Sequence, residues 1–302
     1  MVDPSPRQTL SFLKRRFEES GIRPHTRFGQ NFLVDLNLQR VLLDAAELGP
    51  LDVVLEVGTG TGSLTLLMAQ KAAHVVTVEI DRQLFQLAGE ELFNRENVTL
   101  LQLDALQTKN RLNPALLEAL DRQLRSVPGR RMKLVANLPY NVATPIIGNL
   151  LSVEPSPQLM SVTIQKELAD RIAASPGCKD YGALSIWVQS QCRVELVRVL
   201  PPSVFWPRPK VHSAIIRLTL DEQLRGRIAD REFFHRFVRA MFFHRRKFLR
   251  SELLSAMKKQ ITKPQVDRIL NELNLDGTVR AEELGIETML ALCEAVRAEV
   301  SA

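Results

Sequence analysis

From Leu51 onward the sequence alternates short runs rich in valine, leucine and threonine with longer runs of helical length. This order constrains the fold strongly, because a strand, a helix and a second strand in succession form a right-handed unit with parallel strands. In open parallel sheets, ligands bind beyond the carboxyl ends of the strands. Strands are predicted over 53–57, 74–79, 98–103 and 133–137, and helices over 63–73, 82–93 and 114–125.

The pattern changes after a further strand predicted over 159–164. The runs 183–198 and 211–220 are compatible with β-structure and are predicted to close the sheet as an antiparallel pair. After Asp221 only amphipathic helices are expected, for example over 233–242. We therefore predict an α/β fold with a mostly parallel sheet, an antiparallel closing strand and a small C-terminal all-helical domain. The predicted division is a basic lead-in over 1–26, a sheet domain over 27–222 and a helical domain over 223–302.

The net charge of +6 permits a polyanionic partner but does not by itself indicate one. The stretch 225–250 holds nine Lys or Arg residues and two acids. Phenylalanines interrupt the charges, so the helices are expected to bury their rings and present the charges to phosphate groups. A helix face that is merely solvated remains the alternative.

The three cysteines lie far apart and the five histidines show no spacing typical of metal ligands, so no metal site is expected. Widely spaced cysteines also fit a reducing compartment. No run approaches the roughly 18 apolar residues of a membrane helix. We expect a cytoplasmic protein without a membrane partner.

A glycine-rich loop follows the first predicted strand, in the sequence E-V-G-T-G-T-G-S-L-T from Glu56 to Thr65. Glycines at Gly58 and Gly60 let the backbone turn tightly and approach a ligand closely. A dinucleotide-binding loop would require glycine where Ser63 stands, and the lysine of a phosphate-binding loop is missing. The loop suits a ligand without pyrophosphate, such as S-adenosyl-L-methionine. A simple tight turn is the alternative.

Two acids are predicted at the tips of the next strands. Glu79 follows Gly58 by 21 residues, and its carboxylate could accept hydrogen bonds from both hydroxyls of a ribose. Asp104 could accept a hydrogen bond from the amino group of adenine. Capping of the following helix is the alternative role for either acid.

The fourth strand ends in Asn137-Leu138-Pro139-Tyr140. The amino group of a purine is a poor nucleophile because its lone pair is delocalised into the ring. The Asn137 side-chain oxygen and the Leu138 carbonyl could accept its two N–H groups, while Pro139 restricts the backbone. Tyr140 could stack on an extracted base, and Phe205 could face it across that base. Ordinary packing of Tyr140 or Phe205 remains the alternative.

Taken together, these motifs resemble those of the KsgA-type small-subunit ribosomal RNA adenine N6,N6-dimethyltransferases. The resemblance extends over 27–296 and rests on R-F-G-Q-N-F-L at Arg27, E-V-G at Glu56, V-E-I-D at Val78, Q-L-D-A at Gln102, N-L-P-Y-N at Asn137, Q-K-E at Gln165, Y-G-A-L-S at Tyr181, P-P-S-V-F at Pro201, P-K-V at Pro209, F-H-R-R-K at Phe243 and R-A-E-E-L at Arg280.

This resemblance implies a Rossmann-like S-adenosylmethionine methyltransferase sheet followed by a helical RNA-binding domain. It implies dimethylation of two adjacent adenines in the 3′-terminal hairpin loop of small-subunit (16S) rRNA by a monomer acting on the small ribosomal subunit or its precursor. The residues implied to bind the cofactor are Asn31, Leu33, Gly58, Gly60, Glu79, Asp104 and Asn137. Those expected to bind RNA are Arg245, Arg246, Lys247 and Arg250.

The sequence departs from the family at three positions. Thr59 stands where proline is frequent, Ala183 where arginine is common and His212 where many members carry aspartate. We expect an altered cofactor affinity from the first and altered RNA contacts from the other two. A large-subunit (23S) rRNA methyltransferase of the macrolide-resistance type is the close alternative. A non-catalytic RNA- or DNA-binding assembly or transcription factor on the same fold is the other.

Overall fold

The computed structural model describes residues 9–24, 29–244, 246–258 and 260–301. The chain divides into two compact units. The first contains Met1–Ala169 and Glu195–Thr219, and the second contains Asp170–Val194 and Leu220–Ala302. The predicted domain division stays a prediction, and it differs from these units chiefly in the placement of Asp170–Val194.

The strands are β1 (Phe32–Leu33), β2 (Asp52–Val57), β3 (His74–Glu79), β4 (Val98–Gln102), β5 (Leu106–Thr108), β6 (Arg111–Leu112), β7 (Arg131–Asn137), β8 (Leu159–Gln165), β9 (Cys192–Leu200), β10 (Phe205–Trp206) and β11 (Ser213–Leu220). The helices are α1 (Leu10–Glu19), α2 (Leu36–Asp44), α3 (Ser63–Ala69), α4 (Arg82–Leu92), α5 (Pro114–Arg125), α6 (Ala143–Leu150), α7 (Lys166–Ile172), α8 (Ala183–Gln189), α9 (Glu222–Arg225), α10 (Arg231–Met241), α11 (Leu249–Ala256), α12 (Lys263–Glu272) and α13 (Ile286–Ser301). Short 3₁₀ turns cover Pro202–Val204 and Ala281–Glu283.

The central sheet has the order β4-β3-β2-β7-β8-β11-β9. Strands β4, β3, β2, β7 and β8 pair in parallel, and β11 pairs antiparallel with β8. The predicted mostly parallel sheet with an antiparallel closing strand is therefore confirmed. The chain proceeds from β2 outward to β4 and then returns to β7 on the other side of β2. Such a reversal opens a crevice at the carboxyl ends of β2 and β7, where α/β sheets bind ligands.

Every residue of β2 and β3 is buried, as expected for central strands covered on both faces. The apolar core on one face joins β2, β3 and β7 to α2 and α3. Polar groups at the start of β2 are also paired. Asp52 is fully buried and forms ion pairs with Arg131 at 2.7 Å and Lys133 at 2.9 Å. Lys133 in turn donates hydrogen bonds to the carbonyls of Ala46 and Glu47 beyond the end of α2.

The predicted β-run over 183–198 is wrong in its first half, where α8 forms. The side chain of Ser185 accepts a hydrogen bond from the Gly182 backbone N–H at 3.0 Å and closes the first turn of the helix. The helix buries Ile186, Trp187 and Val188. A short apolar run of this kind fits a buried helix and a buried strand equally well, and tertiary contacts decide between them.

In the second unit, α10 packs against α8 and α13. The predicted amphipathic pattern of α10 is confirmed, since its buried residues are Phe234, Phe237, Val238 and Met241. The ring of Trp187 lies 6.2 Å from Phe234, centroid to centroid. The Tyr181 hydroxyl donates a hydrogen bond to the Leu284 carbonyl at 3.0 Å. These contacts explain why 170–194 belongs to the helical unit. Across the described part of the chain, no helix combines the length and the apolar character needed to cross a bilayer.

Candidate active site

A groove that is partly open to solvent lies at the carboxyl ends of the parallel strands within the first unit. It is lined by the loop after β2, the tips of β3 and β7, the turn after β4 and the segment 29–33. The structure therefore brings together nearly all of the residues that the sequence predicted for the site. The members of the predicted set that line the groove are Asn31, Leu33, Gly58, Gly60, Glu79, Asp104, Asn137, Leu138, Pro139 and Tyr140.

The glycine loop requires glycine for both conformation and space. Gly58, Gly60 and Gly62 have φ angles of 89°, 59° and 80°, in the left-handed region that side chains disfavour. A Cβ atom on Gly58 would lie 3.3 Å from the Pro139 ring. The loop after β2 thus lies close to the Pro139 ring of the loop after β7, which leaves little room for a side chain on Gly58.

The Glu79 carboxylate is held at the tip of β3 by backbone donors. It accepts hydrogen bonds from the Gly60 N–H at 2.9 Å and the Asp81 N–H at 3.0 Å. Burial raises the pKa of Glu79 to about 6, and these two hydrogen bonds counteract the shift. The N-cap of α4 is Asp81, not Glu79. Glu79 is therefore not the helix cap, and its carboxylate lines the groove as a site for polar ligand groups.

Asp104 follows β4 with an exposed side chain. One carboxylate oxygen accepts a hydrogen bond from the Leu106 N–H at 2.9 Å, and the N-cap of α5 is Asn113. No described residue donates a hydrogen bond to the other oxygen. That oxygen remains an acceptor at the edge of the groove.

A buried acid lies beneath the glycine loop. Glu56 is 1% exposed, and its carboxyl group accepts hydrogen bonds from the hydroxyls of Thr65 at 2.5 Å and Thr77 at 2.6 Å. Burial raises the pKa of Glu56 to about 8, although the two hydroxyls lower it. Since the Thr77 hydroxyl donates to Glu56, the Thr59 hydroxyl at 2.6 Å donates to Thr77. The departure from the family pattern at Thr59 thus adds a hydrogen bond that anchors the loop, which proline could not make.

Asn137 is the last residue of β7, and one hydrogen bond orients its side-chain amide. Its Nδ2 donates to the Asn31 carbonyl at 2.7 Å, and no described residue donates to Oδ1. The Leu138 N–H donates to the Thr163 carbonyl at 3.1 Å, while the Leu138 carbonyl accepts no bond from the described residues. The Pro139 carbonyl is already engaged by the N–H groups of Val142 and Ala143. The loop therefore carries two adjacent acceptors that no described residue engages.

The Tyr140 ring lines the groove, and its hydroxyl lies 2.5 Å from the Ser213 hydroxyl. Burial raises the pKa of Tyr140, so the phenol stays neutral at physiological pH. Phe205 does not face Tyr140 across the groove as predicted. Its ring is 3% exposed and belongs to the apolar core, because β10 pairs with β1 and sets Phe205 opposite Leu33. The predicted aromatic pair across a base is therefore not formed in this structure.

Sequence reasoning missed Gln39 and Ser63, which also line the groove. Gln39 is 3% exposed, donates to the Leu33 carbonyl at 2.9 Å and accepts from the Ser63 hydroxyl at 3.2 Å. These bonds connect β1 to the start of α3. From the sequence alone, Ser63 is considered only as the position where a dinucleotide-binding loop needs glycine. Its hydroxyl group, which can hydrogen-bond within the site, is the sequence signal for this role.

The predicted RNA-binding residues have different surroundings in the second unit. Arg246 and Lys247 are exposed, and the Lys247 ammonium donates to the Ser255 hydroxyl at 3.2 Å. Arg250 forms a two-bond ion pair with Asp267, at 2.6 and 2.8 Å, and so links α11 to α12. Arg245 lies outside the described residues.

The rings of the basic stretch are only partly buried, so the expectation that the helices bury them is wrong in part. Phe234 and Phe237 are buried, whereas Phe243 is 79% exposed and Phe248 is 53% exposed. Arg225, counted among the surface charges, is buried and donates to the Gln191 side chain at 3.0 Å.

The sequence matches a known family over most of its length. The profile described as ribosomal RNA adenine dimethylase matches residues 21–292. The ribosomal RNA small subunit methyltransferase A of Lactiplantibacillus plantarum is 40% identical over 278 residues, 91% of each chain. That of Halothermothrix orenii is 37% identical over 93% of this chain and 90% of its own.

Solved structures confirm the predicted Rossmann-like methyltransferase fold. A dimethyladenosine transferase from Plasmodium falciparum superimposes with a TM-score of 0.71 at 24% identity, over 88% of this chain and 97% of its own. The 23S rRNA methyltransferase ErmE superimposes with a TM-score of 0.58 at 23% identity, over 88% of this chain and 99% of its own. At these identities the structural similarity establishes the fold but does not identify the substrate.

Proposed function

Because the chain belongs to the ribosomal RNA adenine dimethylase family, we propose that it uses S-adenosyl-L-methionine to dimethylate N6 of two adjacent adenines in the 3′-terminal hairpin loop of small-subunit (16S) rRNA. The resemblance seen in the sequence motifs is thereby confirmed at the level of the family. The observation that carries the proposed reaction is a pair of acceptors, Asn137 Oδ1 and the Leu138 carbonyl, to which no residue in the described part of the chain donates.

The groove fits the proposed methyl donor. The glycine loop gives close backbone approach at Gly58, where a side chain would meet Pro139. Glu79 offers a buried carboxylate suited to ribose hydroxyls, and Asp104 offers an exposed oxygen suited to an adenine amino group. Asn31, Leu33, Gly60 and Asn137 complete the proposed cofactor residues. When bound, S-adenosyl-L-methionine supplies an activated methyl group on a sulfonium sulfur.

The Asn-Leu-Pro-Tyr loop then acts on the target amine. Asn137 Oδ1 and the Leu138 carbonyl accept its two N–H groups, which localises the lone pair on nitrogen and fixes its direction. Pro139 restricts the backbone and so keeps the carbonyl oriented. The orientation of Asn137 is itself set by its bond to the Asn31 carbonyl. No strong base is required for attack, because the sulfonium methyl group is already electrophilic.

The same pair of acceptors is suited to both methylations of one adenine. After the first transfer the methylated amine releases one proton to water and keeps one N–H, which one of the two acceptors can still hold. Tyr140 supports the base by stacking, with its hydroxyl fixed by Ser213. Phe205 belongs to this proposed site only if the β10 segment moves, since its ring is buried in the core.

Methyl transfer to small subunits that lack the modification tests the proposal. We expect Asn137→Ala to lower kcat by about 100-fold or more, the cost of removing one oriented polar group from a reacting centre. Exposed Asn94 provides a matched control, and Asn94→Ala should leave kcat unchanged. Unchanged turnover in Asn137→Ala would contradict the proposed role.

The same assay separates the alternative functions. Methylation of large subunits in preference to small ones would identify the 23S enzyme of the macrolide-resistance type. Binding of RNA without methyl transfer to either subunit would identify a non-catalytic factor. The proposed partner is rRNA within the small subunit or its precursor, and we propose that the chain acts as a monomer with a helical RNA-binding domain over 223–302.

A further inference from the structure

An exposed aromatic and basic segment connects α10 and α11. This segment, 242–248, is called the aromatic–basic loop below. Phe243 is 79% exposed, an unusual fraction for a phenylalanine ring. Phe248 of the same segment is 53% exposed, so the loop presents two aromatic rings beside its cations.

The loop concentrates positive charge around that ring. Arg246 and Lys247 are exposed, and no described residue forms an ion pair with either. The carboxylate of Glu252 lies behind the loop and is 1% exposed, so a partner at the surface does not contact it directly. Phe243, His244, Arg246 and Lys247 line one open recess. The aromatic ring and the cations therefore face the same space.

Hydrogen bonds from three backbone N–H groups order the described part of the loop. The Phe243 N–H donates to the Ala240 carbonyl at 3.1 Å and the Lys247 N–H to the His244 carbonyl at 2.9 Å. The His244 N–H donates to the Glu252 carboxylate at 3.3 Å. The His244 ring stands edge-on to Phe243, with centroids 4.7 Å apart. A ring held in this way loses little conformational freedom when it stacks on a flat partner.

We propose that Phe243 stacks on an unpaired base of the RNA while Arg246 and Lys247 bind the phosphates beside it. The inference rests on the proposed function in taking rRNA as the partner, and it adds a specific contact to an unpaired nucleotide. Basic grooves combined with aromatic platforms are the common solution for single-stranded nucleic acid. Bases in a duplex are stacked on each other and offer no free face, so the partner is a loop, bulge or end.

The affinity of the full-length protein for unmethylated small subunits tests the stacking contact. Phe243→Ala should weaken binding at least about fivefold, the lower end expected for loss of one base–aromatic stack. Phe243→Tyr should keep the wild-type affinity. Phe243→Leu should bind as weakly as Phe243→Ala, because leucine is apolar but has no ring face. Phe93 is 84% exposed on the first unit and provides the matched control. Equal affinities of Phe243→Ala and Phe93→Ala would overturn the proposal.

The salt dependence of RNA binding distinguishes the contribution of the Phe243 ring from that of the charged side chains. Arg246→Gln should reduce the slope of log Kd against log salt by about 0.7 to 0.9, one phosphate contact. Phe243→Ala should weaken binding at every salt concentration without changing that slope. A change of slope in Phe243→Ala, or none in Arg246→Gln, would refute the assignment.

Photocrosslinking identifies the partner directly. A benzoylphenylalanine at position 243 should crosslink to an unpaired rRNA nucleotide, mapped by the arrest of reverse transcription. A crosslink only to a ribosomal protein or to duplex RNA, or none above a position-93 control, would overturn the proposal. The proposed function is judged separately by methyl transfer from the wild-type protein to small subunits, which can succeed whether or not Phe243 stacks on a base.

Discussion

The buried carboxyl group of Glu56 makes a sharp prediction about stability and pH. Its pKa is about 8 in the folded protein, against 4.5 for an ordinary glutamate. Between these values the folded state holds a proton that the unfolded state has released. The stability contributed by the protonated group is complete below the unfolded pKa and is lost as the pH rises through the folded pKa.

The magnitude follows from proton linkage. Within this window, stability falls by about 1.4 kcal/mol for each pH unit. From about pH 5.5 to about pH 7.0, Glu56 therefore lowers the free energy of unfolding by about 2 kcal/mol. Glu56→Gln is expected to remove this loss, because glutamine is neutral at both pH values and its oxygen can still accept the hydroxyls of Thr65 and Thr77.

Urea unfolding of wild-type protein and Glu56→Gln at both pH values measures the effect. Subtracting the pH-dependent change in stability of Glu56→Gln from that of the wild type removes the contribution of groups that titrate in both proteins, including Glu79. Exposed Glu118 gives the matched control, since Glu118→Gln changes the net charge equally but removes no buried group. If Glu56→Gln and wild type lose equal stability between the two pH values, the reasoning about burial is refuted.

Three further predictions concern the same unit. Glu79, whose pKa burial raises to about 6, should bind S-adenosyl-L-methionine more weakly as the pH falls through that value; calorimetry of Glu79→Gln should give a low affinity without this pH dependence. Asp52→Asn should destabilise the protein by about 3 kcal/mol, because it leaves the Lys133 ammonium buried without its anion; an unchanged urea midpoint would contradict this. Thr59→Val should cost about 1 kcal/mol by removing a buried hydrogen bond, and Thr59→Ser should retain it.

Much of the fold was predictable because the information is local. The strands of the parallel sheet are nearly continuous apolar runs, and the helix predicted over 114–125 is bounded by Asn113 as its cap and Pro114 in its first turn. The tips of these strands had to meet at one edge of the sheet. For that reason Gly58, Glu79, Asp104 and Asn137 could be assigned to one groove from the sequence.

The errors concern residues whose surroundings are set by distant parts of the chain. Helix α8 forms where β-structure was predicted, because the second unit buries Trp187 against α10. Phe205 is buried because its short strand pairs with β1, more than 170 residues earlier in the sequence. Phe243 is exposed although the neighbouring Phe234 and Phe237 are buried, since it lies beyond the end of α10. Local sequence does not encode these partners.

The pairing of β1 with β10 also bears on how the protein matures during its own synthesis. Phe32 and Leu33 pair with Trp206 and Phe205, and the Val34 N–H donates to the Val204 carbonyl. These early residues leave the ribosome long before their partners are translated. A nascent chain can therefore assemble the strands up to β8 before β10 is available to pair with β1, which lines the groove. We therefore expect growing chains to gain affinity for the methyl donor abruptly, only once Trp206 has cleared the exit tunnel.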